Sequence, residues 1–126
     1  MKRFNGICIL SKDVERLVNF YRQLLHVEVD REGDNAAFHT EGAELSIFSY
    51  QGMERMVPGS MVEAGCGCFT VDFEVDDVDR DYEQLTGQGV PCIKPPVTYP
   101  WGRRSAWFRD PDGNIVNLFS RSGEKN

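Results

Sequence analysis

The chain has 126 residues, 40% of them hydrophobic and 11% aromatic, which is enough apolar material for one packed domain and too much for a disordered chain. Its formal charge is −6, from 20 acidic and 14 basic residues. No basic face is visible, which argues against a nucleic-acid partner.

Residues 4–10 (FNGICIL) read as a strand, with Ile7 and Ile9 on one face and Gly6, Cys8 and Leu10 on the other. Asp13 then has the chemistry of a helix cap, and Glu15 suits the first turn. Val14, Leu17, Val18, Tyr21, Leu24 and Leu25 recur at spacings of three and four, which predicts an amphipathic helix. Val27 to Arg31 reads as a short strand, followed by a turn around Gly33. Ala36 to Thr40 and Ala43 to Ser49 form a hairpin closed at Glu41-Gly42.

Residues 51–64 interrupt this order. Gly52, Pro58 and Gly59 deny the segment a long helix or strand, while Met53, Met56 and Met61 are too apolar for a plain linker. We expect a loop that serves as a lid or a dimer contact. The pattern then restarts. In residues 68–75, Phe69, Val71, Phe73 and Val75 alternate with Cys68, Thr70, Asp72 and Glu74. Asp77 caps a second helix with Val78, Tyr82 and Leu85 inward, ended by Gly87 or Gly89. Val90 to Lys94 is a strand, and Pro95, Pro96 and Pro100 mark an irregular loop. A closing hairpin turns through Asp110-Pro111-Asp112-Gly113-Asn114, between Ser105–Arg109 and Ile115–Phe119.

Each half therefore runs β-α-β-β-β. Asp13-Val14-Glu15-Arg16 matches Asp77-Val78-Asp79-Arg80 at an offset of 64 (77 − 13). Gly42 to Phe48 matches Gly113 to Phe119 at an offset of 71 (113 − 42). A duplicated module explains both. The expected organisation is a single domain over 1–126, with module 1 at about 1–50, the loop at 51–64 and module 2 at about 65–122.

The pattern Asp13, Val14, Arg16, Phe20, Tyr21 and Leu25, with the closing Asp110 to Asn114, resembles the vicinal oxygen chelate superfamily. That superfamily includes glyoxalase I, extradiol dioxygenases, and fosfomycin and bleomycin resistance proteins. The resemblance implies an α+β fold of two tandem βαβββ modules. Their curved mixed sheet forms a cup, with helices on its outer face. Metal-dependent members hold one divalent ion through four strands, and the corresponding positions here are Gly6, Ser46, Thr70 and Asn117. None is a carboxylate, imidazole or thiolate, so the expectation is no metal and no cofactor.

The cup should instead be lined by Cys8, Phe48, Cys68, Thr70, Asp72, Arg103, Trp107, Ile115, Asn117 and Phe119, with Tyr99 and Trp101 in a loop beside it. Aromatic side chains with one acid and one base suit a flat or amphipathic small molecule. Trp107 and Phe119 either touch that ligand or fill the cup themselves. Asp72 needs a partner, for which Arg103 and Arg104 are the structural candidates; otherwise it meets a ligand or acts as an acid–base group. Cys8 and Cys68 are expected to be small buried side chains, with His39 as the candidate base for any reactive thiol. Cys8, Cys66, Cys68 and Cys92 form no CxxC pair and read as reduced thiols, and no apolar run suggests a signal peptide or membrane span. A cytoplasmic location follows as an expectation.

Two functional readings stand. The first is a metal-free small-molecule binding protein of the bleomycin-resistance type, acting as a homodimer. The second is a metal-independent lyase or isomerase using Asp72. A diverged metalloenzyme using His39, Glu44 and Asp72 is a third, weaker alternative.

Overall fold

Both halves of the chain are built on a parallel strand pair joined through a helix. The computed structural model describes residues 4–62, 64–65 and 69–121. The first half runs β1 (Gly6–Ser11), α1 (Val14–Leu25), β2 (Val29–Glu32), β3 (Asn35–Phe38), β4 (Glu44–Ser49) and α2 (Tyr50–Met56). The second runs β5 (Thr70–Glu74), α3 (Val78–Gly87), β6 (Cys92–Thr98), β7 (Arg103–Arg109) and β8 (Ile115–Arg121). The chain divides into two compact units, Met1–Ala64 and Gly65–Asn126. Each holds one four-stranded mixed sheet, ordered β1-β4-β3-β2 in the first and β5-β8-β7-β6 in the second. The α+β fold of two tandem βαβββ modules is therefore present.

In the first unit, Asp13 caps α1 by accepting the Arg16 backbone N–H at 3.1 Å. The helix buries Val14, Leu17, Val18 and Tyr21 as its spacing predicts. It also buries Phe20, whose ring meets Tyr21 edge-on at 4.9 Å. The helix stops at His26, which takes the left-handed conformation (φ 55°) and donates its N–H to the Arg22 carbonyl at 3.0 Å. The strands β1 and β4 run parallel, so the chain has to cross a sheet face between them, and α1 makes that crossing. It packs over Ile9, Leu45 and Ile47, all buried.

The segment expected to be a loop begins instead as the short helix α2. Ser49 caps it by accepting the Gly52 N–H at 2.8 Å. Gly52 is there because a Cβ would lie 2.5 Å from the Phe48 ring. Pro58 and Gly59 (φ 88°) follow the helix, and the Glu54 carboxylate accepts the Gly59 and Met61 N–H groups. Those backbone donors hold the Glu54 carboxyl below its ordinary pKa.

In the second unit, Asp77 caps α3 through the Arg80 N–H at 3.2 Å. Val78 and Leu85 are buried, and Tyr82 packs towards Phe108 with 6.4 Å between ring centroids. One expectation fails here. Pro95 and Pro96 do not begin a loop but lie within β6, which continues to Thr98. Two conditions allow it: β6 is an edge strand, and its pairing with β7 shifts register between Lys94 and Val97. A proline lacks the donor that a central strand requires, but not the one an irregular edge can spare.

The closing hairpin is held by Asp110, which is 4% exposed. Its Oδ1 accepts the N–H groups of Asp112 (2.9 Å) and Asn114 (2.8 Å), and its Oδ2 accepts the Asn114 side-chain amide at 2.9 Å. Gly113 supplies φ 91°. Asp110 is thus a side chain that ties the turn.

The duplication extends to strand register. Gly6 faces Glu44 and Cys8 faces Ser46 in the first parallel ladder; Thr70 faces Ile115 and Asp72 faces Asn117 in the second. The offsets of 64 and 71 are kept throughout both parallel ladders. Inward helix positions do not all correspond: buried Phe20 on α1 answers to exposed Gln84 on α3. Leu17 is fully buried on α1, whereas its counterpart on α3 is Asp81, whose carboxyl is raised above its ordinary pKa by partial burial.

Two stability measurements test this account. Asp110→Ala should lower unfolding free energy by about 2–3 kcal/mol in a urea titration, because two backbone donors and an amide lose a buried acceptor. Asp81→Leu should raise it by on the order of 1 kcal/mol at pH 7. The folded state binds the Asp81 proton more tightly than the unfolded state, so wild-type stability improves as pH falls through the raised pKa. The gap between variant and wild type should therefore narrow in acid.

Candidate functional site

The residues at the four positions that the resemblance assigns to metal ligands do not fit a divalent ion. At Gly6 there is no room for any side chain, since a Cβ would lie 2.1 Å from the Glu44 carbonyl oxygen on β4. Ser46, Thr70 and Asn117 offer only neutral oxygens. Among the described residues no group of three or more His, Cys, Asp or Glu side chains is arranged to hold a metal ion. His39 lies just past β3 and spends its Nε2 on Asp30 Oδ2 at 2.7 Å. It does not serve Cys8, because β4 and β3 separate β1 from the β2 edge of that sheet.

The expected contact residues of the second unit share one face of its sheet. Alternation places Thr70 and Asp72 on β5, Arg103, Ser105 and Trp107 on β7, and Ile115, Asn117 and Phe119 on β8 on the same side. Register aligns them into rows: Asp72 with Asn117 and Trp107, then Glu74 with Phe119 and Ser105. The Arg103 guanidinium lies 3.9 Å from the centroid of the Phe119 ring. Arg121 approaches the same ring at 5.5 Å and pairs with Glu74 at 3.1 Å.

Beside β7, Tyr99 stacks on Trp101 with centroids 4.8 Å apart and planes 8° from parallel. Trp101 itself is 69% exposed. Lys94 donates to the Tyr99 hydroxyl at 3.1 Å. That donor, then the Trp107 indole, holds the phenol below its ordinary pKa.

Several expectations change. Asp72 pairs with neither arginine. Arg104 belongs to the other face of the sheet, where it grips Asp79 of α3 in two contacts of 2.9 Å. Arg103 spends its guanidinium face on Phe119. Among the described residues neither Asp72 nor Arg103 makes a side-chain hydrogen bond or ion pair. Asn117 is 5% exposed, and its Oδ1 has no hydrogen-bond partner among the described residues.

In the first unit, Cys8 is exposed rather than buried, and Phe48 packs against Gly52 of α2. Cys66 and Cys68 lie outside the described residues. Sequence reasoning missed the Glu74–Arg121 pair and the Lys94–Tyr99 contact. The first was within reach, because strand alternation already puts Glu74 with Asp72 and extends from Phe119 to Arg121. The second was hidden by taking Pro95 and Pro96 as a loop.

Gly6→Ala should test the close approach of β1 and β4. The methyl meets backbone, which cannot swing aside, so we expect a loss of about 2 kcal/mol or more in chemical denaturation.

Residues 3–118 match the family described as Glyoxalase: Glyoxalase/Bleomycin resistance protein/Dioxygenase superfamily. The uncharacterized protein YraH of Bacillus subtilis (strain 168) is 30% identical over 120 residues, covering 90% of this chain and 94% of YraH. A glyoxalase/bleomycin resistance protein/dioxygenase from Nocardioides aligns with TM-score 0.78 and 26% identity, over 100% of this chain and 87% of that one. A family enzyme from Burkholderia phytofirmans PsJN shares the fold, with TM-score 0.83 at 19% identity over 95% and 99% of the two chains. Family match and duplicated architecture agree: the chain belongs to the glyoxalase/bleomycin resistance protein/dioxygenase superfamily.

Proposed function

We propose that the chain is a metal-free small-molecule binding protein that sequesters or carries a flat aromatic or amphipathic compound. It acts as a cytoplasmic homodimer, an arrangement suggested by the resemblance to bleomycin resistance proteins. The observation that carries the reading is the β5-β8-β7 face, where Trp107 and Phe119 lie among polar groups that the protein leaves unused. Apolar surface with a few convergent polar groups is the usual composition of a ligand site. The crowding at Gly6 supports the metal-free part, since a ligand side chain there would push β1 from β4.

The unpaired Asp72 carboxylate favours a second reading, a metal-independent lyase or isomerase with Asp72 as the acid–base group. A carboxylate locked in an ion pair would have been a poor proton acceptor.

A thermal-shift screen over aromatic cations, zwitterions and amphipathic metabolites tests the first reading. Saturation at about 100 times Kd adds about 2.7 kcal/mol, which should move the midpoint by several degrees. One equivalent of divalent metal retained after purification without chelator would overturn the metal-free assignment. Compounds that bind are then assayed for turnover with wild type and Asp72→Asn. Turnover that disappears in the variant while binding persists establishes the second reading, and binding without turnover in either protein rejects it.

A further inference from the structure

This inference rests on the small-molecule reading and names the charge pattern of the ligand. The second sheet carries several charged side chains, and most are already engaged. Glu74 pairs with Arg121, Arg104 with Asp79, Lys94 donates to Tyr99, and Arg109 donates to the Gly113 carbonyl at 2.9 Å. Among the described residues, the charged groups left over on the Asp72 side of the sheet are one carboxylate and one guanidinium, and the Asn117 amide oxygen beside the carboxylate is buried.

Their placement is ordered. Asp72 and Asn117 are direct partners across the β5–β8 ladder, so two acceptors stand side by side. The Asn117 oxygen is buried without a donor, and leaving such a group unsatisfied costs about 1–3 kcal/mol. A ligand bringing N–H donors to that row meets the exposed Asp72 carboxylate, with the Asn117 amide beside it. Two residues further along β8, Phe119 supports the Arg103 guanidinium on its face. A guanidinium held flat on a ring keeps its in-plane N–H groups free for an oxyanion. Acceptors and cation are thus separated by about 7 Å of strand. Trp107 stands beside Asn117 in register, and Phe119 lies beneath the guanidinium at the other end.

We propose that this face binds a zwitterion, with its ammonium group at Asp72 and Asn117, its carboxylate at Arg103, and a flat apolar body between them. Recognition is by two opposite charges held apart, so the groups cannot neutralise each other and each needs a complement from the ligand. A simple aromatic cation or a simple aromatic acid satisfies only one end.

The test uses calorimetric titration of the whole chain with 4-(aminomethyl)benzoate, benzylamine, benzoate and 4-methylbenzyl alcohol. The zwitterion should bind at least about tenfold more tightly than either singly charged probe. Asp72→Asn should remove its advantage over benzoate, and Arg103→Met should remove its advantage over benzylamine. Both substitutions keep side-chain volume nearly unchanged, and circular dichroism checks that each variant is folded. Equal binding of the zwitterion and the neutral alcohol, or affinities unaffected by either substitution, would overturn the charge assignment. Failure of all four probes, alongside saturable hits of other charge types in the screen above, also overturns it while leaving the small-molecule reading intact. Failure of both experiments removes both.

Discussion

A parallel pair of strands cannot be closed by a tight turn, because the chain must return to the end from which it started. Each half of this protein contains such a pair, β1 with β4 and β5 with β8, as neighbours in its sheet. The connection has to cross one face of the sheet, and a capped helix makes the crossing. Asp13 and Asp77 start those helices two or three residues after the strand ends. The helix then covers one face with the apolar side chains that its 3.6-residue period supplies. The side chains that alternate with that apolar row are consequently turned to the opposite face. The grouping of Asp72, Asn117, Trp107 and Phe119 follows from that single constraint.

The two halves keep the same ladder but use it differently. Where the first has Cys8 facing Ser46, the second has Asp72 facing Asn117. Where the first has Gly6 pressed against a backbone carbonyl, the second has an exposed Thr70. Leu17 fills a core position that a half-buried Asp81 occupies in the other copy. Duplication has preserved the backbone pairing and the helix caps, while side chains have diverged. Among the described residues, the polar groups left unsatisfied on a sheet face are concentrated in the second unit.

Much of the fold was legible from residue order. Caps, helix stripes and the Asp110–Asn114 turn act over four or five residues, and local chemistry is sufficient to recognise them. Alternation likewise assigned Arg103, Ser105 and Trp107 to one face. Three features escaped. The helix α2 is started by the Ser49 cap, with Gly52 close against the Phe48 ring. The prolines of β6 depend on that strand being an edge. The burial of Phe20 depends on its contact with Tyr21, outside the expected stripe.

The site divides in the same way. By itself the sequence determined the duplication and the strand faces, because these follow from residue identity and period, and the family resemblance it carries marked positions 6, 46, 70 and 117 as lacking ligating side chains. Only the tertiary structure decided which charges were already used. Arg103 and Arg104 are adjacent in the chain, yet one lies on an aromatic ring and the other grips a helix carboxylate. Adjacent residues on a strand point to opposite faces, and what waits on each face is brought there by other strands and helices. Likewise, that position 6 has no space for a side chain is a property of β4 lying beside it. Period and identity are written locally, whereas partners and free space are set by neighbours distant in the chain.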